Sequence, residues 1–221
     1  MGTIDLRPVL GRRSQRKSGA RFLLVCLFDP AGITTIYENI ALWQHFSRHA
    51  IEILNLWPGR GANLTIPATI DLDDYDGVIV HCAVSYHPDN LYSLDRNLAR
   101  PFEEYDGLKI LMKQDEHFHT AKFAAYIGKK RFDLVITCVS PEEREKAYPR
   151  RIVGGADFLQ VFTGYVSPYM RSLSYEPAAR RPLDVAYRGS IQPLSFGRLG
   201  FEKRKIGCDV GRIAPGYPLK T

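Results

Sequence analysis

The chain has 221 residues, 45% of them hydrophobic, and a formal charge of +6, enough for one domain with a sound core or for one domain and part of a second. The ordinary apolar share excludes general disorder, and the most apolar run, Phe22 to Phe28, falls far short of the roughly 20 residues that a bilayer span needs. The positive charge favours anionic partners: nucleic acid, a membrane surface or a phosphorylated small molecule. Arg12, Arg13, Arg16, Lys17 and Arg21 cluster without an intervening acid, so residues 1–20 read as a solvated basic arm.

Arg21 to Phe28 is apolar nearly throughout, as expected of a strand buried on both faces. A helix follows: Thr35 and Glu38 have capping-box spacing, and Ile36, Ile40, Trp43 and Phe46 recur at helical intervals. Ile51 to Leu56 is the second strand, and Gly59-Arg60-Gly61 breaks the chain into a loop. Asp71 to Gly77 resembles a calcium loop, but Tyr75 and Cys82 stand where oxygen ligands are needed, so it reads as a solvated turn. Val78 to Val84 is the third strand and Leu108 to Met112 the fourth. Phe123, Ala124 and Ile127 predict a short helix closed by Gly128 at its C-cap. Asp133 to Val139 is the fifth strand. Ser140-Pro141-Glu142-Glu143 predicts a capped helix start. Phe158 to Phe162 is a sixth strand, and Ser167-Pro168 starts another small helix.

Alternation of strand and helix predicts βαβ units, hence an α/β fold with a Rossmann-like parallel sheet and flanking helices. Pro177 to Pro182 reads as a linker, Leu183 to Arg188 as one more strand, and the Gly-rich basic tail to Thr221 as the start of a second domain or a poorly ordered end. The expected organisation is thus an arm (1–20), a Rossmann-like domain (21–176), a linker (177–182) and an incomplete second domain (183–221). Cys26, Cys82, Cys138 and Cys208 form no CxxC pair. The first three lie in apolar runs, so the expectation is free thiols in a reducing, cytoplasmic setting with no metal site.

In such sheets ligands bind beyond the carboxyl ends of the strands, and that rule selects the candidates. Asp29 to Thr35, with Gly32, is either a ligand loop or an ordinary βα turn; it lacks the GxGxxG of dinucleotide sites. His81, with Ser85, His87 and Asp89 after it, is either a general base or a core histidine bonded to backbone. Lys113 to His119 is the densest stretch. Gln114, Asp115, Glu116 and His117 there suit acid/base work or holding sugar hydroxyls, with metal binding disfavoured because the spacing is not HExxH, or else a polar helix start in which a carboxylate caps N–H groups. Arg188 after its strand, with Lys203 on the next helix start, suits a diphosphate; the alternative is a solvated basic tail. Nucleic acid is disfavoured as a partner, because the basic residues cluster in one arm without interleaved aromatics.

Several pieces, taken in order, resemble a known family. They are the acidic turn into Val78-Ile79-Val80-His81, Gly107 to Leu111 leading to Gln114-Asp115-Glu116, Val135 to Val139 with Tyr148-Pro149, Thr163 to Val166, and Asp184 to Gly189 with Gly200 to Lys203. Over about Arg21 to Gly207 the chain resembles bacterial glycosyltransferases of the two-Rossmann-domain (GT-B) type, in the group found among cell-surface polysaccharide and spore-maturation-like enzymes. The resemblance implies an N-terminal acceptor-side domain and a C-terminal donor-side domain. It implies a nucleotide-sugar donor, a sugar or lipid-linked acceptor, peripheral membrane association as one setting, and neither a cofactor nor an obligatory metal. By the same resemblance His81, Asp115 and Glu116 face the reaction, Gly32, Gln114 and His117 contact substrate, and Arg188 and Lys203 hold the donor diphosphate. Similar sequences carry an aromatic residue and an arginine after the glutamate, where this chain has His117-Phe118. Only the first strand and part of a helix of the donor-side domain are recognisable. The expectation is therefore a truncated transferase, weak or inactive alone, with a non-catalytic Rossmann-like binding module as the alternative.

Overall fold

The structure is a computed structural model that describes residues 19–32, 34–57, 64, 66–67, 69–96, 102–181 and 196–213. The chain divides into two compact units, Met1–Arg171 and Ser172–Thr221. The first unit holds a six-stranded sheet, with β1 (Arg21–Cys26), β2 (Ala50–Asn55), β3 (Gly77–Val80), β4 (Leu108–Met112), β5 (Leu134–Thr137) and β6 (Asp157–Gln160). All neighbours are parallel and the order is β2-β1-β3-β4-β5-β6. The Rossmann-like α/β reading of the sequence is therefore correct.

The central strands bury both faces, which is why they read as largely apolar runs, while the edge strands β2 and β6 carry exposed polar residues. Leu23, Val25, Val78, Val80, Leu111 and Val135 point to one side. There they pack on α2 (Pro88–Arg96) through Leu91 and Leu94, on α3 (Thr120–Lys130) through Phe123, Ala124 and Ile127, and on α5 (Arg150–Val153) through Val153; α4 (Arg144–Ala147) precedes α5. Phe22, Leu24, Cys26, Ile79, Ile110 and Ile136 point to the other side, where α1 (Thr34–Phe46) contributes Ile40, Ile36 and Trp43. Full burial of each such side chain is worth about 1.5–3 kcal/mol. The amino ends of the strands are fastened by aspartates: Asp76 accepts from the Arg21 N–H at 2.8 Å and Asp133 from the Lys109 N–H at 2.7 Å.

Several local expectations are corrected. The box of Thr35 and Glu38 does not form, because α1 begins at Thr34 and Glu38 instead accepts a 2.6 Å hydrogen bond from the Tyr165 hydroxyl. Gly128 does not close α3. The helix runs to Lys130 and its C-cap is Arg131, with φ 54° and ψ 52°. Gly128 serves close packing instead: a Cβ there would lie 2.0 Å from the Ile152 carbonyl oxygen. Ser140 to Glu143 form a turn, and the helix after it is the single turn α4, with no side-chain cap. The third and fifth strands end at Val80 and Thr137, so Cys82 and Cys138 sit just beyond strand ends, half-buried, rather than within them. The helix α6 (Pro168–Ser172) forms where Ser167-Pro168 predicted it, and the Ser167 hydroxyl accepts from the Met170 N–H at 3.2 Å.

In the second unit, the tail expected to hold only part of a helix contains a long one, α7 (Gly197–Ile213). The pairs Arg198–Glu202 and Lys205–Asp209, at helical spacing, support it despite its glycines. The predicted strand Leu183 to Arg188 and the basic cluster Arg12 to Lys17 lie outside the described residues. No helix among the described residues is long and apolar enough to cross a membrane.

Candidate functional site

The sheet order reverses between β1 and β3: β1 connects outward to β2, and β3 leads the other way to β4. Ligands of such sheets bind at the carboxyl edge near this point. The loops after β1, β3, β4 and β5 converge there.

The loop after β1 is bonded largely to itself. Asn55, ending β2, donates to the Phe28 carbonyl at 2.9 Å and accepts from the Phe28 N–H at 3.1 Å. Asp29 takes the Ala31 N–H on its side chain and the Gly32 N–H on its carbonyl, both at 2.9 Å. A Cβ on Gly32 would come within 3.0 Å of the Asp29 Cβ. Gly32 thus allows the turn to fold on Asp29, and its N–H is spent inside the turn.

His81 leaves the end of β3 with 1% of its surface exposed. Its Nε2 lies 3.0 Å from the Asn39 Oδ1 of α1, and its Nδ1 accepts from the Ala83 N–H at 3.1 Å. An amide oxygen only accepts, so Nε2 carries the proton and the ring is neutral. Burial lowers its pKa from 6.5 to about 4. A base needs an uncommitted lone pair near the reacting hydroxyl. This ring has none, and it fixes α1 to the turn after β3. Ser85, fully buried, donates from its hydroxyl to the Met112 carbonyl and ties that turn to β4.

The loop after β4 has the densest chemistry. Asp115 at φ 59° and His119 at φ 54° both adopt the left-handed backbone region, which is uncommon outside glycine and concentrates at functional sites. Contacts of three side chains hold this shape. The Lys113 ammonium, buried, donates to the Gln114 carbonyl at 2.9 Å and lies 4.0 Å from the Phe123 ring centroid. The Glu116 Oε1 accepts from the Thr137 hydroxyl at 2.5 Å and from the Cys138 N–H at 3.1 Å. The Thr120 hydroxyl donates to the Glu116 carbonyl. Glu116 thereby staples the β4 loop to the end of β5. Asp115 and His117 are exposed and Gln114 half-buried. Phe118 and His119 stack near His87 from the loop after β3, the two imidazole centroids lying 5.3 Å apart.

Electrostatically the edge is insulated. Burial holds the Lys113 ammonium below the usual lysine range, while Glu116 and Asp115 oppose that shift. Burial also pushes the Cys82 thiol up to about 11, with Cys138 adding to the rise and Lys113 opposing it. Tyr148 is buried beneath, its hydroxyl beside Glu116 and Thr137 without a well-formed hydrogen bond, and burial raises its pKa strongly. After β6, Thr163 reaches Cys138 at 3.1 Å and Tyr165 reaches Glu38 of α1. The segment 161–165 therefore links the β5 end to α1.

No protein-family model, curated protein or solved structure matches this chain.

Of the residues selected from sequence, Gln114, Asp115, Glu116 and His117 lie on one loop, and His81 ends the strand next to it. Gly32 stands across the switch point on the β1 loop. Lys203 is exposed on α7 in the second unit, and Arg188 lies outside the described residues. Sequence reasoning missed Asn39, Thr137, Tyr148 and Thr163 as parts of the site. Asn39 sits within the predicted first helix, and only its long-range pairing with His81 marks it. Thr137 carried a signal: it is a hydroxyl at the end of an otherwise apolar strand.

Proposed function

We propose that the first unit is the acceptor-side half of a nucleotide-sugar glycosyltransferase, in which Asp115 takes the proton of an acceptor hydroxyl. One observation carries the reading. Asp115 is an exposed carboxylate at the carboxyl edge of β4, held in a left-handed conformation by the Lys113 and Glu116 contacts on either side. A carboxylate on a rigid turn is suited to meet a hydroxyl at fixed distance.

In the reaction the acceptor oxygen forms a bond to the anomeric carbon of the donor sugar. The bond from that carbon to the diphosphate oxygen breaks, and its electron pair leaves with the nucleoside diphosphate. The hydroxyl proton passes to Asp115. Gln114 and His117, beside it, hold acceptor hydroxyls. Glu116 acts by fixing the loop, and His81 by fixing α1 against the β3 turn. Arg188 and Lys203 are the residues proposed for the donor diphosphate, where a guanidinium and an ammonium stabilise the leaving charge without a required metal.

A second reading, a non-catalytic Rossmann-like binding module, is favoured by the commitment of His81 and Glu116 to partners inside the fold. The test measures binding of uridine, guanosine and thymidine diphosphates by calorimetry, and release of diphosphate from the matching nucleotide sugars. We expect Asp115→Asn to leave nucleotide binding intact and to lower release by about 100-fold or more. Arg188→Ala is expected to abolish nucleotide binding. Nucleotide binding without release under any acceptor would select the binding module, and no binding of any nucleotide would refute the donor assignment.

A further inference from the structure

The end of the sheet opposite the candidate site carries a second concave surface. A groove of about 900 Å³ runs along the amino ends of β5 and β6, where the α3–β5 turn, α4 and the α5–β6 turn meet. That volume suits a small-molecule ligand. Its charged lining is Arg131, Arg144 and Arg150 with Asp133, Glu145 and Asp157, beside Phe158.

Two features of the arginines stand out. The Arg144 guanidinium lies 5.1 Å from the Phe158 ring centroid, and its Nε is buried with no hydrogen-bond partner. Buried donors are almost always paired, and this one is unpaired in a side chain that also lines the groove. Arg131 closes α3 at φ 54°, a position that glycine normally fills. An arginine held there against its backbone preference places a cation on the groove. Neither guanidinium has a hydrogen bond or ion pair among the described residues. Two of the carboxylates nearby are engaged with backbone N–H groups. Asp133 accepts the Lys109 N–H at 2.7 Å, and Glu145 accepts the Arg150 N–H at 3.1 and 3.2 Å; Asp157 is exposed on the edge strand. The space that a side chain would occupy at Gly154 or Gly155 is open.

We propose that this groove binds a phosphate monoester of a small molecule, with the phosphate taken by Arg131 and Arg144 and the carbon portion lying against Phe158. Two guanidiniums without a hydrogen-bonded acceptor match a dianion, and each offers a planar fork of donors to phosphate oxygens. The inference is independent of the glycosyltransferase reading, because it concerns the other edge of the sheet.

The experiment titrates the full chain with inorganic phosphate, a hexose 6-phosphate and the free hexose, by calorimetry at constant ionic strength. Saturable one-to-one binding of both phosphates, tighter for the ester, and none of the hexose, is expected. Arg144→Gln weakens it at least about tenfold. Arg131→Gly weakens it too, yet raises the melting temperature of the unliganded chain, because glycine is at ease in the left-handed region; loss of binding is thereby separated from loss of fold. Lys122→Ala, which removes an exposed cation of α3 that does not line the groove, leaves phosphate binding unchanged. The proposal is overturned by absence of saturation, by affinity that ignores both groove variants, or by affinity that falls as much with Lys122→Ala as with Arg144→Gln.

Discussion

His81 makes the stability of this protein depend on pH in a way that can be calculated. Its ring is neutral and buried in the folded state, with a pKa lowered from 6.5 to about 4 by burial. Between those two values the unfolded chain binds a proton that the folded chain refuses, so acid favours unfolding. The stabilisation is fully present above 6.5 and is lost as pH falls toward 4. Across the whole interval it amounts to about 3 kcal/mol, and between about pH 7.5 and pH 5 to about 2 kcal/mol. Urea unfolding at several pH values measures it directly. His81→Gln keeps a donor for Asn39 and an acceptor for the Ala83 N–H but cannot titrate. Its stability is expected to fall by about 2 kcal/mol less than that of the parent over the same pH range. Parallel curves for the two proteins would refute the reasoning, and would mean that the ring is hydrated or already protonated when folded.

Two further perturbations address how the site is built. Glu116→Ala strands the Thr137 hydroxyl and the Cys138 N–H and should cost about 2–4 kcal/mol in urea unfolding, whereas Glu116→Gln, which keeps an acceptor, should cost about half as much; equal losses would mean that Glu116 is not the staple between the β4 loop and β5. Gly128→Ala drives a methyl group into the Ile152 carbonyl and should destabilise by about 1–3 kcal/mol, although alanine is the better helix former in solution; a stabilised variant, read from its melting temperature, would show that α3 and α5 are not in contact there.

Much of the fold was legible because strands buried on both faces leave apolar runs, unbroken from Phe22 to Cys26 and interrupted only by the buried Lys109 from Leu108 to Met112. Strand ends were less legible. Val84 and Val139 are as apolar as the strands before them, but the ladder stops at Val80 and Thr137. The turn after β3 is held instead by bonds to Met112 and to the His81 ring. The candidate loop Gln114 to His117 could be found from its density of polar side chains directly after an apolar run. Which of those side chains is engaged and which exposed could not, because Glu116 finds its partners on a strand that follows a whole helix later.

The sequence by itself determined that this chain makes alternating strands and helices and where the polar loops interrupt them, since burial on two faces and helical spacing are local patterns. Only the tertiary structure decided the strand order and the roles of single residues. Asn39 meets His81 across 42 positions and Glu38 meets Tyr165 across 127, and Arg144 and the left-handed Arg131 come to line one groove from separate elements. Such meetings depend on how the elements stack, which no local pattern of residues encodes.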